Sequence, residues 1–182
     1  MLGAILAQLP VIFIVLRADW RGAGRSSRTR ALLLGGGAAL LAMPAVAGVA
    51  GLASRLQERF TGRTFDPIAH ETLRMIVEEP GGWSALLSAL AITGAPLAEE
   101  VLYRGLGHDL LRRLGLAPWS IIGAVSILFA LAHWSVATGP ALAGLFVLGL
   151  ALGWSRERSG SLLAPIIGHA LFNAVNLWLA GS

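Results

Sequence analysis

Long apolar stretches, interrupted by short charged segments, recur along most of the chain. A bilayer's hydrocarbon core is about 30 Å thick, and an α-helix needs roughly 20 apolar residues to cross it. Ala31 to Ser54 carries no charge, and neither does Pro80 to Ala98, which runs directly into Glu99. From Leu114 to Ser155 the only titratable side chain is His133, and the length suffices for two crossings with SVATGP, Ser135 to Pro140, as the turn between them. Ser159 to Ser182 is a further span whose only titratable side chain is His169, and Met1 to Leu16 is a shorter one. The pattern predicts an all-α protein, a polytopic transmembrane bundle of about six helices enclosing a polar intramembrane cavity. Residues 1–182 read as a single integral membrane domain without internal repeats or a low-complexity tail.

Composition agrees with this reading. The chain is 55% hydrophobic and 13% charged, with a mean hydropathy of +0.71, far from a soluble domain of ordinary make-up. There is no Cys, so disulfides and thiolate chemistry are excluded, and a metal would have to be held by His, Glu or Asp. The net charge is +4, and every basic residue is Arg. These residues gather between apolar segments, as a topology signal does, and not on one face as nucleic-acid binding requires. Arg17, Arg21, Arg25, Arg28 and Arg30 follow the first span, Arg112 and Arg113 the third, and Arg156 and Arg158 the fifth. They are expected on the cytoplasmic side, with both termini facing away from it. The loop from Arg55 to Gly82 balances its Arg residues with acidic ones and is expected to lie on the opposite membrane surface. Met1 to Leu16 lacks a basic stretch in front, which argues against a cleaved signal peptide. Trp20, Trp83, Trp119, Trp134, Trp154 and Trp178 each fall near the end of a proposed span, where indole rings prefer the headgroup interface. Gly149 and Gly153, four residues apart, are read as helix-packing positions.

The polar residues inside the spans then require explanation. An ionisable group within a hydrophobic span costs roughly 2.5 to 3.5 kcal/mol on insertion scales, so it needs a partner or a wet cavity. The third helix supplies Glu99, Glu100 and Arg104, the fourth His133, and the sixth His169 and Asn173. If the third helix runs on to Arg113, its carboxylates lie about 20 Å from its cytoplasmic end, at 1.5 Å per residue. His133, His169 and Asn173 fall in a similar layer. Glu100 and Arg104, at i and i+4, are placed to pair. Glu99 points about 100° away and lacks a local partner, which suits a general acid or base. His169 and Asn173 share one helix face, so both can donate to one developing oxyanion. His70, His108 and Asp109 are assigned to loops or an interface, without chemistry. Each polar cluster could also serve as a lock between helices.

Glu99-Glu100-Val-Leu-Tyr-Arg104 resembles the EExxxR motif of the CPBP family, the CAAX proteases and bacteriocin-processing enzymes also called Abi proteins. Phe129-Ala-Leu-Ala-His133 is similar to its FxxxH motif, and His169-Ala-Leu-Phe-Asn173 to its HxxxN motif. All three stand in order over about residues 83–178. The resemblance implies an intramembrane endopeptidase acting near the C-terminus of a membrane-associated protein or peptide. It implies that Glu99 and His133 activate water and that His169 and Asn173 stabilise the oxyanion, with Glu100, Arg104 and Phe129 in support. It implies a bacterial plasma-membrane setting and a site opening toward the cytoplasmic half. No cofactor, metal or nucleic-acid partner is implied; the partners are the bilayer and the substrate. Three other readings stay open on the residues alone: a zinc metallopeptidase using Glu99, His133 and His169, a non-catalytic scaffold or bacteriocin-immunity protein, and a proton-coupled transporter.

Overall fold

The computed structural model of the chain describes residues 25–62, Ile76 and 81–181. The expected first helix over Met1 to Leu16, Trp20, His70 and most of the loop before Gly82 lie outside these residues. The described residues form five rods: α1 (Arg25–Thr61), α2 (Gly82–Arg113), α3 (Pro118–Ala132), α4 (Gly139–Ser159) and α5 (Leu163–Gly181). By length and composition α1, α2, α4 and α5 can each cross a membrane.

Local chemistry sets most of the helix ends. Pro118 and Pro140 stand in the first turns of α3 and α4, where a missing N–H costs nothing. Thr138 caps α4 by accepting from the Ala141 N–H at 3.4 Å. Gly160 closes α4 with φ 68°, a left-handed conformation that only glycine adopts without a Cβ penalty.

Two helices end elsewhere than expected, and a third differs along its length. α1 is 37 residues long, so Arg28 and Arg30, expected in a loop, belong to its first turns, and Arg55 and Arg59 to its last. Arg and Glu are good helix formers, and the helix continues past the apolar run at both ends. α3 has 15 residues, about 22 Å at 1.5 Å per residue, and is too short for a full crossing. It stops at His133, two residues before the expected turn, because the His133 side chain takes over its own helix bond. Nδ1 donates to the Phe129 carbonyl at 2.8 Å, while the His133 backbone N–H shifts to Ala130 O at 3.0 Å. Finally, α2 is a single rod to Arg113 but not uniformly α-helical. Leu90–Gly94 and Val101–Gly107 are π-helical turns on either side of Ala95–Glu100.

The rods run alternately up and down. At one end Arg30 donates to Arg158 O at 2.9 Å, Arg112 pairs with Glu157, and Arg156 stands 3.7 Å from Asp109. Arg30 of α1, Arg112 of α2 and Arg156 and Arg158 of α4 thus share one end of the bundle, as their expected placement on one membrane face requires. Ala39, Phe129, Leu148, Leu152 and Phe172 form the core where α1, α3, α4 and α5 meet. Large apolar side chains such as Leu33, Leu41, Leu131 and Trp178 point outward, an arrangement suited to lipid and costly in water. This is an all-α integral membrane protein.

Small residues bring the helix backbones into contact. A Cβ on Gly149 would meet Ser126 at 2.9 Å and one on Gly153 would meet Ile122 at 3.1 Å, in keeping with the packing role expected for both. Between α1 and α5 the approach is closer still: a Cβ on Gly35 would lie 2.1 Å from Ala164 O, and one on Gly168 2.7 Å from Gly35 O. Neither helix can relieve this by turning a side chain. Gly35→Ala is therefore expected to cost about 1–3 kcal/mol in detergent unfolding. Gly36→Ala, whose Cβ meets nothing within 4 Å, should unfold like the parent. Equal stabilities for the two variants would reject this interface.

Candidate active site

Glu99 and Glu100 lie at the end of the short α-helical stretch between the two π-turns of α2. Being adjacent, they leave the helix in different directions, and their surroundings differ accordingly. Glu100 is fully buried, and its Oε1 accepts from Arg104 Nη1 at 2.9 Å and from His169 Nδ1 at 2.8 Å. Arg104, also fully buried, extends Nη2 to the Gly149 carbonyl of α4 at 3.0 Å and lies 4.7 Å from the centre of the Phe129 ring. The expected Glu100–Arg104 pair is thus present, and it links α2 to α4 and α5 as well as to its own turn.

These hydrogen bonds orient both imidazoles. The Phe129 carbonyl can only accept, so His133 carries a proton on Nδ1 and turns Nε2 toward Glu99. His169 likewise gives its Nδ1 proton to the ionised Glu100, which turns its Nε2 toward the same carboxylate. Glu99 Oε2 is 3.8 Å from His133 Nε2 and 4.0 Å from His169 Nε2, and accepts no hydrogen bond itself. The two Nε2 atoms, from different helices, are thus each separated from the Glu99 carboxylate by a distance that one water molecule can bridge. Exposure rises across the site from 0% for the Glu100 side chain and 5% for His169 to 16% for His133 and 26% for Glu99. The supporting pair is closed off, while Glu99 and His133 are partly exposed around a buried Glu99 Oε2.

Phe129 is the floor of this arrangement. Its ring centre lies 5.0 Å from that of His133, 5.6 Å from His169 and 5.5 Å from Tyr103, the last two edge-on. Sequence spacing placed Phe129 one turn before His133; its contact with the second imidazole is added by the fold.

Asn173 has a partner that its helical spacing from His169 does not show. Its Nδ2 donates to the Ala91 carbonyl of α2 at 2.8 Å. Two further residues escaped the sequence reading. Tyr103, one turn beyond Glu99, packs on Phe129. His108, assigned to a loop or interface, is fully buried in α2, with Nε2 3.6 Å from Glu157 Oε1 and neither ring nitrogen hydrogen-bonded. Gly105 and Gly107 sit in a π-turn that carries the helix on through His108. Asp109 pairs with Arg156 at the Arg-rich end.

Residues 81–175, more than half of the chain and all of the residues just described for the site, match the family described as type II CAAX prenyl endopeptidase Rce1-like. An uncharacterized 24.3 kDa protein of Escherichia coli is 40% identical over 76 residues, which are 41% of this chain and 35% of that protein. The chain thus spans about a third of the length of this curated relative. No solved structure matches.

Proposed function

Because the chain belongs to the Rce1-like family of type II CAAX prenyl endopeptidases, we propose that it is a glutamate-type intramembrane endopeptidase, cleaving membrane-associated proteins or peptides near their C-terminus. The observation that carries this reading is the convergence of Glu99 Oε2, His133 Nε2 and His169 Nε2 within 4.0 Å, on three helices of an apolar bundle. A water molecule at their shared point gives one proton to Glu99 as its oxygen attacks the scissile carbonyl carbon. His133 holds that water, its lone pair directed by the bond from Nδ1 to Phe129 O. The carbonyl oxygen becomes an oxyanion, for which His169 and Asn173 are the donors. His169 does this through Nε2 when a proton stands there, with Glu100 on its far nitrogen, and Asn173 with the amide proton not given to Ala91 O. Collapse of the tetrahedral intermediate breaks the C–N bond, and protonated Glu99 passes its proton to the leaving amine.

In this reading Glu100, Arg104 and Phe129 support the reacting groups without touching the substrate. In the same reading the protein resides in the plasma membrane of a bacterium with its Arg-rich end in the cytoplasm. The reading is tested by turnover of a membrane-anchored reporter peptide by the detergent-purified protein. His133→Ala is expected to lower turnover by about 10²–10⁴-fold, and excess chelator to leave the parent active. Undiminished turnover in His133→Ala would overturn the assignment, and loss in chelator would redirect it to a metallopeptidase.

A further inference from the structure

In the π-turn of α2 each main-chain bond runs from a residue to the carbonyl five before it, and the Ala95 N–H donates to Leu90 O. The next rung would run from residue 96 to the Ala91 carbonyl. Residue 96 is Pro, which has no N–H to give. The missing bond is supplied by another helix, through Asn173 Nδ2 at 2.8 Å. A carbonyl only accepts, so this contact fixes which end of the carboxamide faces α2. One turn earlier on α5, His169 holds Glu100 at 2.8 Å. The two motif residues of α5 therefore grip α2 on both sides of Pro96, and the Ala95–Glu100 segment that carries both carboxylates is held between the two grips.

We propose that Pro96 is a positioning residue of the site. By denying Ala91 O a main-chain donor, it commits one amide proton of Asn173 to α2 and thereby sets the direction of the other. The effect on rate rests on the peptidase reading; the effect on stability does not.

A double-mutant cycle in detergent, followed by thermal unfolding, tests the structural half without any turnover. In the parent, Asn173→Ala leaves a carbonyl orphaned and is expected to lower the midpoint by roughly 5 °C. In a Pro96→Ala background the main chain regains a donor, and the same change should cost under about 2 °C. Equal shifts in both backgrounds would overturn the latch. If Pro96→Ala fails to fold, Asn173→Asp at pH 8 serves instead: close in shape but unable to donate when ionised, it should unfold as early as Asn173→Ala, and parental stability would overturn the latch. For the rate, Pro96→Ala should keep the KM for the reporter peptide within about twofold while kcat falls about tenfold. An unchanged kcat in a protein whose cycle shows the coupling would overturn the positioning role alone, whereas an inactive parent would reject the peptidase reading and leave the latch standing.

Discussion

Glu99→Gln leaves the bundle folded and lowers turnover of a reporter peptide by about 10³–10⁴-fold, the loss expected when a general base that also returns the proton is removed. Gln fills the same space and presents an amide where the carboxylate stood, so the loss cannot be assigned to a cavity. Its stability should match or exceed that of the parent. Glu99 Oε2 is buried without a hydrogen bond and faces the Nε2 atoms of two imidazoles, that of His133 turned toward it as an acceptor. An amide N–H at that position can donate to one of them, whereas a carboxylate cannot. Glu99→Asp separates distance from chemistry. It keeps the base but draws it back by one methylene, and should retain part of the turnover. The measurement is single-turnover cleavage alongside thermal unfolding of each variant in one detergent. Activity of Glu99→Gln within tenfold of the parent would remove Glu99 from the mechanism, whatever the other residues do.

What the sequence could say about this site follows from how far each interaction reaches along the chain. The Glu100–Arg104 pair was legible because helical spacing alone places the two side chains on one face, and the structure has them at 2.9 Å. The shared layer of Glu99, His133 and His169 was legible because rise per residue gives depth in any straight rod. Spacing could not show that Glu100 serves two partners, since one i+4 arginine already accounts for its charge. The second partner, His169, is 69 residues away and known only once α2 and α5 are packed. The second partner of Asn173 was hidden for a related reason. The i and i+4 rule brings it beside His169, but its amide is drawn toward a carbonyl freed by Pro96, and that vacancy exists only in the π-turn. His108 was assigned to a loop or interface because its burial beside Glu157 of α4 is known only once the two helices are packed. The short α3 was also hidden: composition between Leu114 and Ser155 stays apolar throughout, and the stop at His133 comes from one imidazole competing with its own backbone.

Arg104→Leu is expected to cost about 3–5 kcal/mol of stability, more than any other single change considered, because it strands charge and hydrogen-bond capacity in a place with no water. Arg104 is fully buried, neutralises a fully buried Glu100, and satisfies the Gly149 carbonyl on the neighbouring helix. Without it Glu100 keeps only His169, and the pair must either hold the charge through an imidazolium or take up a proton. Either way His169 ceases to be governed as it was, so turnover falls with stability. Arg104→Lys should recover part of the loss at most, because a single ammonium cannot replace the planar fork that reaches Glu100 and Gly149 O together while lying on Phe129. The informative variant is the double one, Glu100→Leu with Arg104→Met. Removing both charges at once removes the desolvation problem, and burial of two apolar side chains should return most of the lost stability. Activity should not return, because His169 Nδ1 then has no carboxylate to bind and its Nε2 is no longer aimed at Glu99. Unfolding of all four proteins under identical conditions, with turnover measured on the folded fraction, separates the two roles. A stable and active double variant would show that the buried ion pair only joins helices; a stable and inactive one would show that the pair is kept for the imidazole it holds in place.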